Sequence, residues 1–519
     1  MESMNIIELK LFASRVIAIC EEMGLVLRRA AFSPNIKDRL DFSCALFGAD
    51  GQLFAQADHM PVHLGSMAFA MGSVVKEREW QTGDMLVLND PYLGGTHLPD
   101  VTLIAPVFGT EGIGLLGFVV NRAHHANIGC DTPGSMPVSS SLEEEGIIIP
   151  PTLLLRAGNL QPGTELLPGV DNGELIGDFA AQAGANRVGV LRLQQLVENV
   201  GLDTYIYGMQ QLNSYAERIA TNTIGLLKPG LYHFEDYLDD DGCGTTNISL
   251  KVSLNINANR VEVDLSDSAD SVRGNLNCPE SVVAAAAYYC FRCLMSDEAP
   301  ACEGLFHNIN IKTRLGSIVN AQRPAAVAAG NVETSTRIVD LILGALAQAV
   351  PEQIPAASQG TMNNVAMGHI DHSTGKRWDY YETVAGGLGG GPTQAGLSSV
   401  HSHMTNTLNT PIESLEMHYP LRVRRYAIRR SSGGAGRHPG GDGIIREYEF
   451  LQPTRLSLLS ERRSFAPWGL LGGGEGKRGS NLLNGKILPG KCTVDMCVGD
   501  RLTIQSPGGG GWGIPSESE

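Results

Sequence analysis

The 519 residues are 43% hydrophobic and 18% charged, with 39 basic residues against 55 acidic ones and a formal net charge of −16. Length and apolar content suit a folded chain of roughly two to four domains with a large core. The acidic balance excludes the basic footprint of a nucleic-acid binder and adhesion to an anionic membrane surface. The ten cysteines show no framework spacing, and a chain this long needs no disulfide staples, so free thiols in a reducing cytoplasm are expected. No stretch approaches the ~18–20 apolar residues of a membrane span, and Glu2, Glu8 and Lys10 break any signal pattern at the N-terminus.

Taken in order, residues 5–30 place Ile6, Leu9, Phe12, Val16, Ile19, Met23 and Leu27 at spacings of three and four, which predicts an amphipathic helix. Residues 41–47 read as a strand, turned at Ala49-Asp50-Gly51 into a return strand over 52–57. A polar run, Asp58 to His63, leads to a helical stretch over 65–77. Short strands follow at 85–88, 101–107 and 114–120, and an acidic turn at 139–145. A helix is predicted over 179–200.

Beyond Lys228-Pro229-Gly230 the pattern changes to period two. Ile248, Leu250, Val252, Leu254 and Ile256 alternate, as do Val261, Val263 and Leu265, giving an antiparallel hairpin with one covered face. A helix over 280–295 is expected to pack on it, and another is predicted over 338–350. Cys290 and Cys293 share one face of the first, where core packing outweighs redox chemistry. The 62 glycines cluster in the last third and predict many tight turns. The fold class is α+β: mixed, largely antiparallel sheets with packed helices, and Gly-rich loops in the C-terminal third. The units are expected at 1–228, 229–350 and 351–519, the first carrying the polar site.

That site is centred on two clusters. Leu-Asn-Asp-Pro-Tyr-Leu-Gly-Gly-Thr-His-Leu-Pro-Asp ends at Asp100, and Asn-Arg-Ala-His-His starts at Asn121. Both stand where apolar strands stop, a common place for site residues on a rigid support. His97, Asp100 and His124 offer two imidazoles and a carboxylate, donors suited to Zn²⁺, Mn²⁺ or Fe²⁺. Asp41 is available as a further oxygen donor, with Asp90 and His125 as alternates. A hydrogen-bonded polar core would use the same residue types. There is no P-loop, no His-Glu-x-x-His helix and no Gly-x-Ser-x-Gly elbow. The polar loop from Gln359 to Asn364 suits a substrate pocket or an Asn-rich turn. The arginines between 422 and 430 suit a contact with a partner or a solvated face.

Longer motifs run through the chain: Ala-Phe-Ser-Pro-Asn-Ile-Lys-Asp-Arg-Leu-Asp-Phe-Ser at 31–43, the 89–100 stretch, His124-His125, Gly330-Asn331-Val332-Glu333-Thr334-Ser335, Met404-Thr405-Asn406-Thr407 and Pro507-Gly508-Gly509-Gly510-Gly511. Together they resemble, nearly end to end, the hydantoinase B / 5-oxoprolinase C-terminal family. Subunits of the acetone and acetophenone carboxylases are related to it. The resemblance implies the B-type subunit of an ATP-dependent cyclic amidohydrolase acting on 5-oxoproline, a hydantoin or a related lactam. It implies a hetero-oligomer with a hydantoinase A-type ATPase subunit, which binds ATP and phosphorylates the ring oxygen before this chain opens the ring. It also implies a divalent metal, Zn or Mn, on Asp41, His97, Asp100 and His124. Asp58, Glu144 and Glu145 are candidates for the general base; the family carries Glu near position 58, so Asp58 is a shorter arm. The alternative the resemblance leaves is a subunit of an ATP-dependent acetone- or acetophenone-type carboxylase. A non-enzymatic scaffold for the ATPase is a third reading.

Overall fold

The computed structural model describes residues 4–515, apart from 58, 64, 76, 77, 111, 166, 372, 374 and 375. The first helix, Ile6–Ala30, starts at a capping box. Asn5 Oδ1 accepts from the N–H groups of Ile7 and Glu8, and the Glu8 carboxylate accepts from the Asn5 N–H. Of its predicted stripe, Leu9, Phe12, Val16, Ile19, Met23 and Leu27 are buried, facing the sheet and the helix Gly177–Val200, while Ile6 in the first turn is exposed. The two helices approach closely at Gly189, where a Cβ would stand 2.4 Å from the sulfur of Met23.

The N-terminal sheet contains β1 (Phe42–Gly48), β2 (Leu53–Gln56), β3 (Met85–Leu88), β4 (Asp100–Phe108), β5 (Leu115–His124), β6 (Thr152–Arg156) and β7 (Asn159–Leu160). Among the described residues their order is β2-β1-β5-β4-β3-β6-β7, with every pairing antiparallel. Both faces are covered. Cys44, Leu46, Val119 and Leu103 belong to the large core under the helices Ile6–Ala30 and Gly177–Val200. Ala45, Phe47, Phe118 and Val120 pack with Met67, Ala70 and Met71 of the helix Ser66–Val74. A strand covered on both faces loses its polar alternation, which is why these read as short continuous apolar runs.

The middle sheet joins Gly230–Asp240, Thr246–Ile256 and Val261–Asp264 antiparallel and adds Ile309–Lys312 parallel to the last. The predicted alternation holds, with Ile248, Leu250, Val252, Leu254 and Ile256 buried. The helix lying on this sheet is Ser335–Ala349, and Glu280–Arg292 packs chiefly against that helix; the apolar face of the former is the more continuous, and it takes the place the sequence suggested for the latter. Cys290 is buried in this layer, with its thiol near the Val339 carbonyl, and no disulfide forms among the described residues.

Two further sheets occupy the C-terminal third. One orders Arg377–Glu382, Asn364–Ile370, Thr454–Leu459 and Lys491–Met496; the other orders Leu421–Arg429, Gly443–Phe450, Arg501–Gln505, Ser480–Leu483 and Lys486–Leu488. The glycine runs do more than turn the chain. A Cβ on Gly387 would stand 1.9 Å from the Gly441 oxygen, and one on Gly509 2.0 Å from the Leu388 oxygen. The N–H groups of Gly390, Gly434, Gly441 and Gly509 donate to the carbonyls of Gly510, Gly509, Leu388 and Gly441 at 2.8 to 2.9 Å. Backbones lie side by side at a distance that leaves no room for side chains.

Candidate metal centre

Three neighbouring strands bring their ends to one spot. Asp100 opens β4, His124 closes β5, and the two are direct cross-strand partners. Phe42 pairs with Ala123, so Asp41, just before β1, stands beside His124, whose N–H donates to the Asp41 carbonyl at 3.0 Å. His97 arrives from the loop before β4. That loop turns at Gly94, where φ is +98° and a Cβ would meet Ala70 Cα at 2.4 Å, so only glycine fits.

His97 Nε2 lies 3.2 Å from Asp100 Oδ1, and His124 Nδ1 lies 3.3 Å from the same oxygen, with all three side chains at most 2% exposed. One donor atom from each falls within 4.8 Å of the others. Bonds of about 2.0–2.1 Å to a tetrahedral ion put neighbouring ligand atoms about 3.3 Å apart. His97 Nε2, on the side of Asp100 Oδ1, has no hydrogen-bond partner among the described residues, and neither has His63 Nε2, a costly state for buried polar atoms unless a ligand satisfies them. His97 Nδ1 is 3.3 Å from the Ala328 carbonyl; donating there leaves Nε2 as the free lone pair, the usual arrangement of a ligand histidine. The donor set fits a divalent ion.

Electrostatics bind the cluster together. Burial opposes ionisation of Asp100, but His97 and the contacts with His124 and His63 hold its carboxyl well below the usual range. Burial likewise opposes charge on His97, where the Asp100 carboxylate prevails and raises the pKa. At His124 burial prevails and the pKa falls. Asp41 is buried and acts electrostatically on both imidazoles, while standing outside the tight group of three.

The other candidates separate. Glu145 is fully buried; its Oε1 accepts from Ser139 Oγ at 2.8 Å and from the N–H groups of Val327 and Ala328 at 2.9 Å. Burial pushes its pKa up to about 7. Glu144 is exposed and accepts from the N–H and hydroxyl of Ser140, closing its own turn. Asp58 lies outside the described residues. Of the alternates, Asp90 pairs with Arg323, and His125 bonds Gln182 at 2.8 Å and packs on Phe179.

Several neighbours come from residues not expected among the ligands or bases. Tyr381 stacks on His124, with Arg39 on the tyrosine ring at 4.7 Å. The Tyr381 hydroxyl donates to Asn364 Oδ1 at 2.7 Å, and Asn364 Nδ2 donates to Glu333 Oε1 at 2.7 Å. Asn331 and Glu333 sit on a π-helical turn, Gly330–Thr334, a distortion often found at functional sites. Asn331 Nδ2 is 3.5 Å from Asp100 Oδ2. His63 faces the same oxygen at 3.4 Å. The sequence signals were present for His63 and the 330–335 motif, both inside long polar motifs; Tyr381 has none in one dimension.

Buried histidine and carboxylate side chains whose pKa values are shifted by burial and by one another mark a candidate functional site. The chain belongs to the Hydantoinase B/oxoprolinase family, matching it over residues 5–515. It is 40% identical to 5-oxoprolinase 1 of Arabidopsis thaliana over 98% of this chain, and it spans 42% of that relative's length. It is 39% identical to an uncharacterised protein of Methanocaldococcus jannaschii, covering 99% of this chain and 92% of the other. With the putative B-type subunit of a D-/L-hydantoinase from a Pseudomonas strain the identity is 31%, over 96% of this chain and 88% of the relative. Among solved structures, the ATP-dependent caprolactamase from Pseudomonas jessenii superposes with a TM-score of 0.90 at 25% identity, over 99% and 92% of the two chains. An acetone carboxylase shares the fold, with a TM-score of 0.86 at 16% identity over 98% and 76%. Among the described residues no helix is long and apolar enough to cross a membrane.

Proposed function

We propose that this chain is the B-type subunit of an ATP-dependent cyclic amidohydrolase, working in the cytoplasm with a hydantoinase A-type ATPase subunit on 5-oxoproline, a hydantoin or a related lactam. The observation that carries this is the buried His97–Asp100–His124 group, in a chain that covers 88% of a putative hydantoinase B-type subunit. A ring amide is a poor electrophile. Phosphorylation of its oxygen by the partner, with ATP bound there, makes the carbon attackable and supplies a leaving group.

A divalent ion, Zn or Mn, on His97, Asp100 and His124 with Asp41 as a further oxygen donor, supplies Lewis-acid polarisation when bound. The chain's own residues do the rest. The Ala328 carbonyl and the Tyr381 ring fix the two imidazoles. Glu145 is the proton acceptor of this proposal: its Oε1 accepts from the N–H of Ala328, the residue whose carbonyl faces His97 Nδ1, its Oε2 has no partner among the described residues, and its pKa is pushed up to about 7. Glu144 closes its own turn and takes no such part.

The test is ring opening by the chain purified with its ATPase partner, assayed on 5-oxoproline, hydantoin and simple lactams with and without ATP and divalent metal. Ring opening that needs both supports the reading, with Glu145→Gln losing at least about tenfold in kcat. Bicarbonate-dependent carboxylation of a ketone with no ring opening replaces it by the carboxylase reading.

A further inference from the structure

Asp100 divides its carboxylate between two sides. Oδ1 faces His97 Nε2 and His124 Nδ1. Oδ2 accepts from the Thr96 hydroxyl at 2.5 Å and faces His63 Nε2 at 3.4 Å and Asn331 Nδ2 at 3.5 Å. His63 is fully buried, ends the turn Pro61–His63, and stands outside the group of three.

Its other ring nitrogen is anchored to the sheet. His63 Nδ1 is 2.8 Å from the hydroxyl of Ser43, a residue of β1. That hydroxyl already accepts from the Met60 N–H at 3.2 Å. No other acceptor for its proton is found among the described residues, and giving that proton to His63 Nδ1 leaves the imidazole proton on Nε2, an atom 3.4 Å from Asp100 Oδ2 and without a hydrogen-bond partner of its own. The backbone is held as well: the Ser66 hydroxyl sits 3.1 Å from the His63 carbonyl and accepts from Arg122 at 2.8 Å.

We propose that His63 is a positioning residue of the metal centre: oriented by Ser43, its Nε2–H holds Asp100 Oδ2, so that Oδ1 alone is presented to the ion. This rests on the metal reading of His97, Asp100 and His124. A carboxylate held by one oxygen binds through the other, and fixing its rotation in advance removes an ordering cost from metal binding. Thr96 shares the task from the loop side.

The experiment is Zn²⁺ affinity, measured by competition with a chromophoric chelator on the full chain, for wild type, His97→Ala, His63→Ala, His63→Gln and Ser43→Ala. His63→Ala is expected to weaken Zn²⁺ about 10–100-fold. His63→Gln, whose amide N–H reaches the place of Nε2–H, stays within about threefold of wild type, and Ser43→Ala falls between the two. Should His63→Ala fail to fold, the Gln and Ser43 variants carry the test. The proposal is overturned if His97→Ala loses Zn²⁺ while His63→Ala or Ser43→Ala binds as wild type does. It is equally overturned if His63→Gln is as weak as His63→Ala, which would make the ring nitrogen a ligand. Absence of Zn²⁺ binding by wild type would remove the metal reading itself, a separate result.

Discussion

The ring of Tyr381 lies flat on that of His124, with centroids 5.0 Å apart and planes 13° from parallel. Tyr381 belongs to a sheet of the C-terminal third and His124 to the end of β5. The centre is therefore walled by two distant parts of the chain, and the tyrosine hydroxyl extends the contact through Asn364 to Glu333.

Replacing Tyr381 separates the ring from the hydroxyl. Tyr381→Phe keeps the stack and leaves Asn364 Oδ1 without its donor, costing about 1–3 kcal/mol. Tyr381→Ala also empties a buried ring site and costs about 3–5 kcal/mol. Denaturant unfolding of the two variants measures the difference. Equal stabilities would mean that the buried ring, its stack on His124 included, contributes nothing.

Glu333 gives the fold a pH dependence of known sign. Burial, reinforced by Glu461, pushes its pKa up to about 8 from 4.5. The folded chain then holds this proton where the unfolded chain has released it. Stability from this residue is fully present below about pH 4.5 and falls as pH rises toward about 8. Glu333→Gln stays neutral throughout, so it flattens the fall by an amount on the order of a few kcal/mol. Unfolding free energies at about pH 5 and about pH 8 decide this; an unchanged slope in the variant contradicts it.

The glycine assembly makes a paired prediction. A Cβ on Gly509 would stand 2.0 Å from the Leu388 oxygen, whereas one on Gly474 meets nothing nearer than 3.5 Å. Gly509→Ala is expected to cost about 3 kcal/mol or more through forced backbone displacement, and Gly474→Ala less than about 1 kcal/mol. Thermal unfolding of both variants checks the contrast, and similar melting temperatures would refute it.

Much of the centre was legible because its members end apolar strands. His97, Asp100 and His124 sit where the hydrophobic runs stop, and the pairing of Asp100 with His124 turns two sequence clusters into one place. His63 and Tyr381 were not assigned, since their nearness to Asp100 and His124 exists only after separate segments pack, and Glu333 joins them only through Asn364. The helix Leu202–Gly225 was not predicted, although its buried Tyr205, Gly208, Leu212, Ala216, Ala220 and Ile224 recur at helical spacing; three of the six are glycine or alanine, which a search for large apolar residues passes over. Glycine content pointed to turns, and composition alone does not distinguish a turn from two backbones packed side by side.

Elemental analysis of the purified chain tests the central claim most directly. Wild type is expected to carry about one divalent ion, Zn or Mn, per chain, and His97→Ala and Asp100→Ala are expected to carry almost none while remaining folded. Full metal content in both variants, or none in wild type after supply of either ion, would contradict the assignment of His97, Asp100 and His124 as the metal centre.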